Sequence, residues 1–257
     1  MDNMHNSNQM IMPGAGPFYF EGNKIGILLI HGGGGGTCAD LKPLAEDLHT
    51  KKDYTISVPL LPGYGTTPED LRNTQIKDWK SHLDKELSKM MDNCDKIIVG
   101  GHSMGGVLTL ILAANYNLDA IFTISAPAGI QRFLFYLVPI FKNFVKYHAI
   151  NSEQFKEDTN GKWVGYDKIP LNIATKMKYL MKEMKSFLIK VKCPALLFQG
   201  CLDSEIKRKS MDYIFDNVIS KNKKKIWLEN TKHAILDSPD HKQIVLELVN
   251  FINEFCP

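Results

Sequence analysis

The chain has 257 residues, and its 31 Lys and Arg against 28 Asp and Glu leave a formal net charge of only +3. That balance, with the lysines dispersed except for Lys221 to Lys225, gives no basic face for nucleic acid. Five cysteines, Cys38, Cys94, Cys193, Cys201 and Cys256, are odd in number and lack a Cys-x-x-Cys pair, so they suggest neither a disulfide framework nor a metal site and point to a reducing, cytoplasmic compartment.

The polar start, Met1 to Asn8, lacks the cationic and apolar regions of a secretory signal. The first strong element is the apolar run Ile25 to Ile30, a buried strand, followed by His31 and five glycines, Gly32 to Gly36. A glycine run after a strand invites a phosphate-cradle reading. No lysine follows it, however, and the next strand, Thr55 to Leu60, ends without a carboxylate, so nucleotide binding is disfavoured and no cofactor is expected. The other reading is a loop whose backbone N–H groups face a developing negative charge. Helices are predicted from about Asp40 to Thr50 and Lys77 to Met91, with a Pro-Gly turn at Leu60 to Gly65 between them.

The most telling stretch comes next. Lys96 to Gly100 reads as a strand, Gly101-His102-Ser103-Met104-Gly105-Gly106 as a sharp turn, and Val107 to Ala114 as a helix. Glycines on both sides leave room for a strained turn that thrusts the Ser103 hydroxyl outward just before a helix N-terminus. A serine hydroxyl is a weak nucleophile, so it needs a base to take its proton and an acid to orient that base. Asp203 is the first choice of acid, just beyond the buried strand Pro194 to Gly200, where an open parallel sheet forms its crevice. Glu205 is the alternative, although Ser204 to Ile206 reads as the start of a helix, where an acid is favoured anyway. His233 follows the last strand, Lys224 to Leu228, and precedes a helix from about Asp240 to Phe255, which makes it the candidate base. Among the other histidines, His5, His49 and His82 read as solvated. His148 ends an aromatic segment and His241 opens the last helix, whereas His31 and His102 belong to turns and read as packing and hydrogen-bonding groups.

Between the strands Ala120 to Ser125 and Ala195 to Gln199 lies a segment of different character. The stretch Phe133 to Val145 is aromatic and apolar but broken by Pro139, and no apolar run reaches the ~18 residues that span a membrane. It reads equally as packed helices or as an apolar cover over the serine. Met177, Met181 and Met184 fall at helical spacing, which suits core packing and an alkyl ligand alike. The alternation of strands and helices predicts an α/β fold, a mostly parallel sheet with helices on both faces.

Gly14 to Gly22, Leu28 to Gly32, Leu60 to Gly65, Trp79, Gly101 to Gly106, Gln199 to Asp203 and His233 together resemble the bacterial carboxylesterase and monoacylglycerol lipase branch of the α/β-hydrolases. The resemblance implies a hydrolase core over 1–125 and 191–257 and a small helical cap over 126–190. It implies Ser103 as nucleophile, Asp203 as acid, His233 as base, and the N–H groups of Met104 and Gly33, or of Gly34, as oxyanion donors. It further implies a cofactor-free enzyme acting on a small-molecule acyl ester, of short to medium chain or a monoacylglycerol, without metal, nucleic acid or stable membrane insertion. Thioesterase, peptidase or acyltransferase activity, or ligand binding with little turnover, are the alternatives on the same fold. The branch commonly carries a bulky residue where this chain has Gly33, which predicts a wider or looser pocket wall there.

Overall fold

The computed structural model describes residues 10–131, 145–235 and 237–256. Most of the aromatic stretch from Phe133 onward therefore lies outside the described residues. A seven-stranded sheet runs in the order β1-β3-β2-β4-β5-β8-β9, built from β1 (Phe18–Phe20), β2 (Ile25–Ile30), β3 (Thr55–Val58), β4 (Lys96–His102), β5 (Ala120–Ile124), β8 (Ala195–Gly200) and β9 (Lys223–Leu228). All neighbours pair in parallel except β1, which runs antiparallel to β3 with Phe18 opposite Val58. β6 (Tyr147–Ala149) and β7 (Lys168–Pro170) form a separate antiparallel pair in the segment between β5 and β8.

The inner strands are buried along nearly their whole length because helices cover both sheet faces. Alternate residues divide cleanly. Leu28, Ile30, Val99, Ile121 and Leu197 join one core with α3 (Ile76–Asn93) and α4 (Met104–Asn115), and with α6 (Asn172–Phe187) and α7 (Ser210–Asn217). Ile27, Leu29, Ile98, Phe122, Ile124 and Phe198 join the other with α1 (Lys42–Lys52) and α8 (His241–Phe255). In α3, Trp79, Leu83, Leu87 and Met90 form a single buried stripe at helical spacing. Each such large side chain removed from water contributes about 1.5–3 kcal/mol before chain entropy is counted. α2 (Pro68–Asn73) and α5 (Ser152–Asp158) are short, which makes eight α-helices among the described residues.

Met177, Met181 and Met184 are buried on α6 in the core that contains α4, so their spacing serves packing. Ser204 to Ile206 does not start a helix; α7 begins at Ser210. The backbone there is committed elsewhere. Ile206 bridges Ile130, the Gln131 N–H donates to the Glu205 carbonyl, and the Lys207 N–H donates to that of Gly129. His49 and His82 are half-buried rather than solvated: the His49 ring bonds the Tyr54 carbonyl at 3.0 Å, and His82 Nε2 is buried without a partner.

Candidate active site

β4 ends in the elbow, and Ser103 sits at its apex with φ 53° and ψ −117°. That left-handed backbone is strained for a residue with a side chain, and it persists because the flanking elements determine it. A Cβ on Gly105 would lie 1.9 Å from the Ile30 carbonyl oxygen, and one on Gly101 2.3 Å from Gly105. Only glycine lets α4 begin so close to β2 and β4.

Three candidates from distant parts of the chain meet at the carboxyl ends of β4, β8 and β9. The Ser103 Oγ lies 2.9 Å from His233 Nε2, and His233 Nδ1 lies 2.8 Å from Asp203 Oδ2. The other carboxylate oxygen, Oδ1, accepts the backbone N–H groups of Glu205 at 2.9 Å and Ile206 at 3.2 Å. Asp203 is thus the acid in contact with the imidazole, and Glu205 meets it through a backbone N–H donor. The Asp203 side chain is fully buried and that of His233 is 22 % exposed. Burial alone would raise the Asp203 pKa, but the His233 hydrogen bond and charge, with the two N–H donors, outweigh it and hold the carboxyl below its usual range. An acceptor-only carboxylate at Nδ1 fixes the proton there and leaves Nε2 free to accept from the serine.

His102 and His31 take supporting places. His102 Nε2 lies 2.7 Å from the His233 carbonyl, and burial lowers its pKa to about 3. His31 Nδ1 donates to the Gly32 carbonyl at 2.8 Å, while its Nε2 accepts the Leu61 N–H at 3.1 Å; burial lowers its pKa to about 4. Both rings are neutral at physiological pH and serve as struts, His31 joining the glycine loop to the Leu60 to Gly65 turn.

Gly33 packs directly on Met104, since a Cβ there would come 2.7 Å from the Met104 sulfur; Gly34 is exposed, with open space where its Cβ would be. Of the two loop candidates, Gly33 is therefore the one beside the first residue of α4. Sequence reasoning missed Tyr64, whose hydroxyl donates to the Gly33 carbonyl at 3.2 Å and fixes that peptide. It also missed Asp40, a half-buried acid just past the glycine run whose Oδ1 is buried without a partner. Asp40 looked like an ordinary acid at a helix start, and only an unsatisfied oxygen in three dimensions distinguishes it. Among the described residues, no group of three or more His, Cys, Asp or Glu is gathered as metal ligands would be.

A mostly parallel, helix-covered sheet with a serine on a strained strand-to-helix elbow defines an α/β-hydrolase. The chain belongs to the hydrolase family described as serine aminopeptidase, S33, whose family model matches residues 22–240. Among its relatives, the thermostable monoacylglycerol lipase of Bacillus sp. (strain H-257) is 31% identical over 94% of this chain and 95% of its own length. The carboxylesterase of Bacillus subtilis (strain 168) is 26% identical over 93% of this chain and 96% of its own. A solved structure from work on LipS and LipT, two metagenome-derived lipolytic enzymes, superposes with a TM-score of 0.87 at 25% identity, covering 95% of this chain and all of that one. The protein is a hydrolase of the lipase and esterase type, and none of its described helices is long and apolar enough to cross a membrane.

Proposed function

We propose that the protein hydrolyses carboxylic esters of short to medium acyl chains, or monoacylglycerols, through Ser103, His233 and Asp203. The observation that carries this is the unbroken hydrogen-bonded run from the Ser103 hydroxyl through the His233 ring to the Asp203 carboxylate. His233 Nε2 takes the hydroxyl proton as Oγ attacks the acyl carbon, and Asp203 stabilises the imidazolium that forms. The carbonyl oxygen becomes an oxyanion, held by the N–H groups of Met104 and Gly33, which can contribute several kcal/mol. The imidazolium then protonates the leaving alcohol, and a water repeats the sequence on the acyl-enzyme.

In this reading 126–190 forms a cap on the core made by 1–125 and 191–257, and five unpaired thiols suit a reducing cytoplasm. The two bacterial relatives are named for ester hydrolysis, whereas the family description names a peptidase. A substrate panel must therefore span both. Fluorophosphonate labelling with peptide mapping should modify Ser103, and p-nitrophenyl esters should be cleaved faster than acyl-CoAs or aminoacyl amides. Labelling at another residue, or equal ester rates for Ser103→Ala and the parent, would refute the nucleophile. Preferential cleavage of amides would replace the ester reading.

A further inference from the structure

The segment between β5 and β8 touches both loops of the candidate site through one short stretch, Thr159 to Tyr166. On one side it pairs with the glycine loop as a strand would: Gly165 bridges Gly36, and the Tyr166 N–H donates to the Gly35 carbonyl at 3.0 Å. Thr37 Oγ1 adds a bond to the Val164 carbonyl at 2.8 Å. The approach is so close that a Cβ on Gly165 would lie 2.4 Å from the Gly35 oxygen. On the other side the stretch holds the loop that follows His233. Asn160 Nδ2 donates to Asp237 Oδ2 at 2.6 Å, and Lys162 Nζ donates to Asp237 Oδ1 at 2.5 Å.

Asp237 has φ 61°, in the left-handed region that aspartate enters more readily than most residues with a side chain. The stretch it grips is itself stiff. Thr159 Oγ1 bonds the Phe155 carbonyl at 2.6 Å and accepts the Trp163 N–H at 3.0 Å, and the buried Trp163 ring stacks on Phe155. At its far end the Tyr166 hydroxyl donates to the Gly63 carbonyl at 2.7 Å and accepts the Thr66 N–H at 2.9 Å.

We propose that Asp237 is a positioning residue: it ties the His233 loop to the same stiff stretch that clamps the glycine loop, so that base and oxyanion donor are set relative to each other across the insertion. The proposal rests on the ester-hydrolase reading above. The loop keeps its fold by other bonds, since Thr231 Oγ1 donates to Asp240 at 2.7 Å and meets Ser238 at 2.6 Å. Losing the tie therefore costs placement rather than folding, and a small misplacement of a reacting group is expensive in rate.

The test compares Asp237→Ala, Lys162→Met and their double variant with the parent, by kcat and KM on a short p-nitrophenyl ester, melting temperature, and amide hydrogen exchange over 231–238. Each single variant should lower kcat by about tenfold with KM little changed. The double should be no worse than the poorer single, melting should stay near the parent, and exchange in the loop should quicken in all three. Parental kcat and exchange in both singles, additive losses in the double, or a loss of kcat matched by a general loss of melting temperature would overturn the proposal. A parent that cleaves no ester overturns the functional reading instead, and exchange then decides the tie by itself.

Discussion

His102 Nε2 donates to the backbone carbonyl of His233 across 2.7 Å, so the residue just before the elbow serine braces the loop that carries its base. A carbonyl only accepts, hence the His102 proton sits on Nε2. Replacing His102 by Leu leaves that carbonyl without its donor, a loss worth about 1–3 kcal/mol. By loosening the loop that places His233, His102→Leu should lower kcat by about tenfold, while His102→Gln, which retains an N–H donor, should lie closer to the parent. Because burial keeps His102 neutral down to about 3, neither variant should move the acid limb of the kcat/KM profile. A shifted limb would show that His102 itself exchanges the catalytic proton.

Asp203→Asn separates charge from shape at the buried end of the run. The amide fills the same space but can stabilise the wrong imidazole tautomer, so kcat should fall by about 10⁴-fold. Fluorophosphonate labelling of Ser103 should slow in parallel. Glu205→Gln should be near neutral, since Glu205 meets Asp203 through its backbone N–H. Steady-state rates of the two variants side by side check both statements.

At Gly33 any side chain meets Met104, whose sulfur would lie 2.7 Å and whose Cβ 3.1 Å from the new Cβ. Crowding of this kind costs about 1–3 kcal/mol. Gly33→Ala should therefore reduce ester turnover, and Met104→Ala in the same chain should recover part of it by clearing the sulfur. An active Gly33→Ala single variant would show that the loop yields easily.

Asp40 gives a stability prediction with a definite sign. Burial raises its carboxyl from 3.8 to about 7, against the opposing pull of His233. The folded state therefore holds a proton that the unfolded chain releases, and stability falls as pH rises between those two values. Asp40→Asn removes the penalty. It should stabilise the protein by up to a few kcal/mol at pH 8, and by little near pH 4. Equal melting differences at the two pH values would contradict this.

What could be read from the residues alone was local or periodic. The strand, elbow and helix over 96–114 announce themselves because glycines, a serine and two apolar runs are contiguous, and the order serine, acid, histidine followed from placing later strands. Asp203 could be preferred over Glu205 by its position at a strand end. The choice became physical only when its two oxygens were seen facing His233 on one side and two N–H donors on the other. β1 escaped notice because three residues carry too little pattern, and its antiparallel direction depends on β3. Tyr64, Asp40 and Asp237 were invisible for a related reason: each owes its role to a partner far along the chain or to the lack of one. Gly33 did not simply leave a hole, since Met104 occupies the space beside it.

The sheet order carries a consequence for biosynthesis. β9 is both the last strand in the chain and the outermost at its edge of the sheet, next to β8. A nascent polypeptide that has emerged as far as the loop after β8 already possesses its elbow and its acid but has no imidazole between them. On the proposed chemistry its serine stays inert toward cellular acyl groups until that final strand docks, so reactivity is acquired last, after the body that shelters it has been assembled.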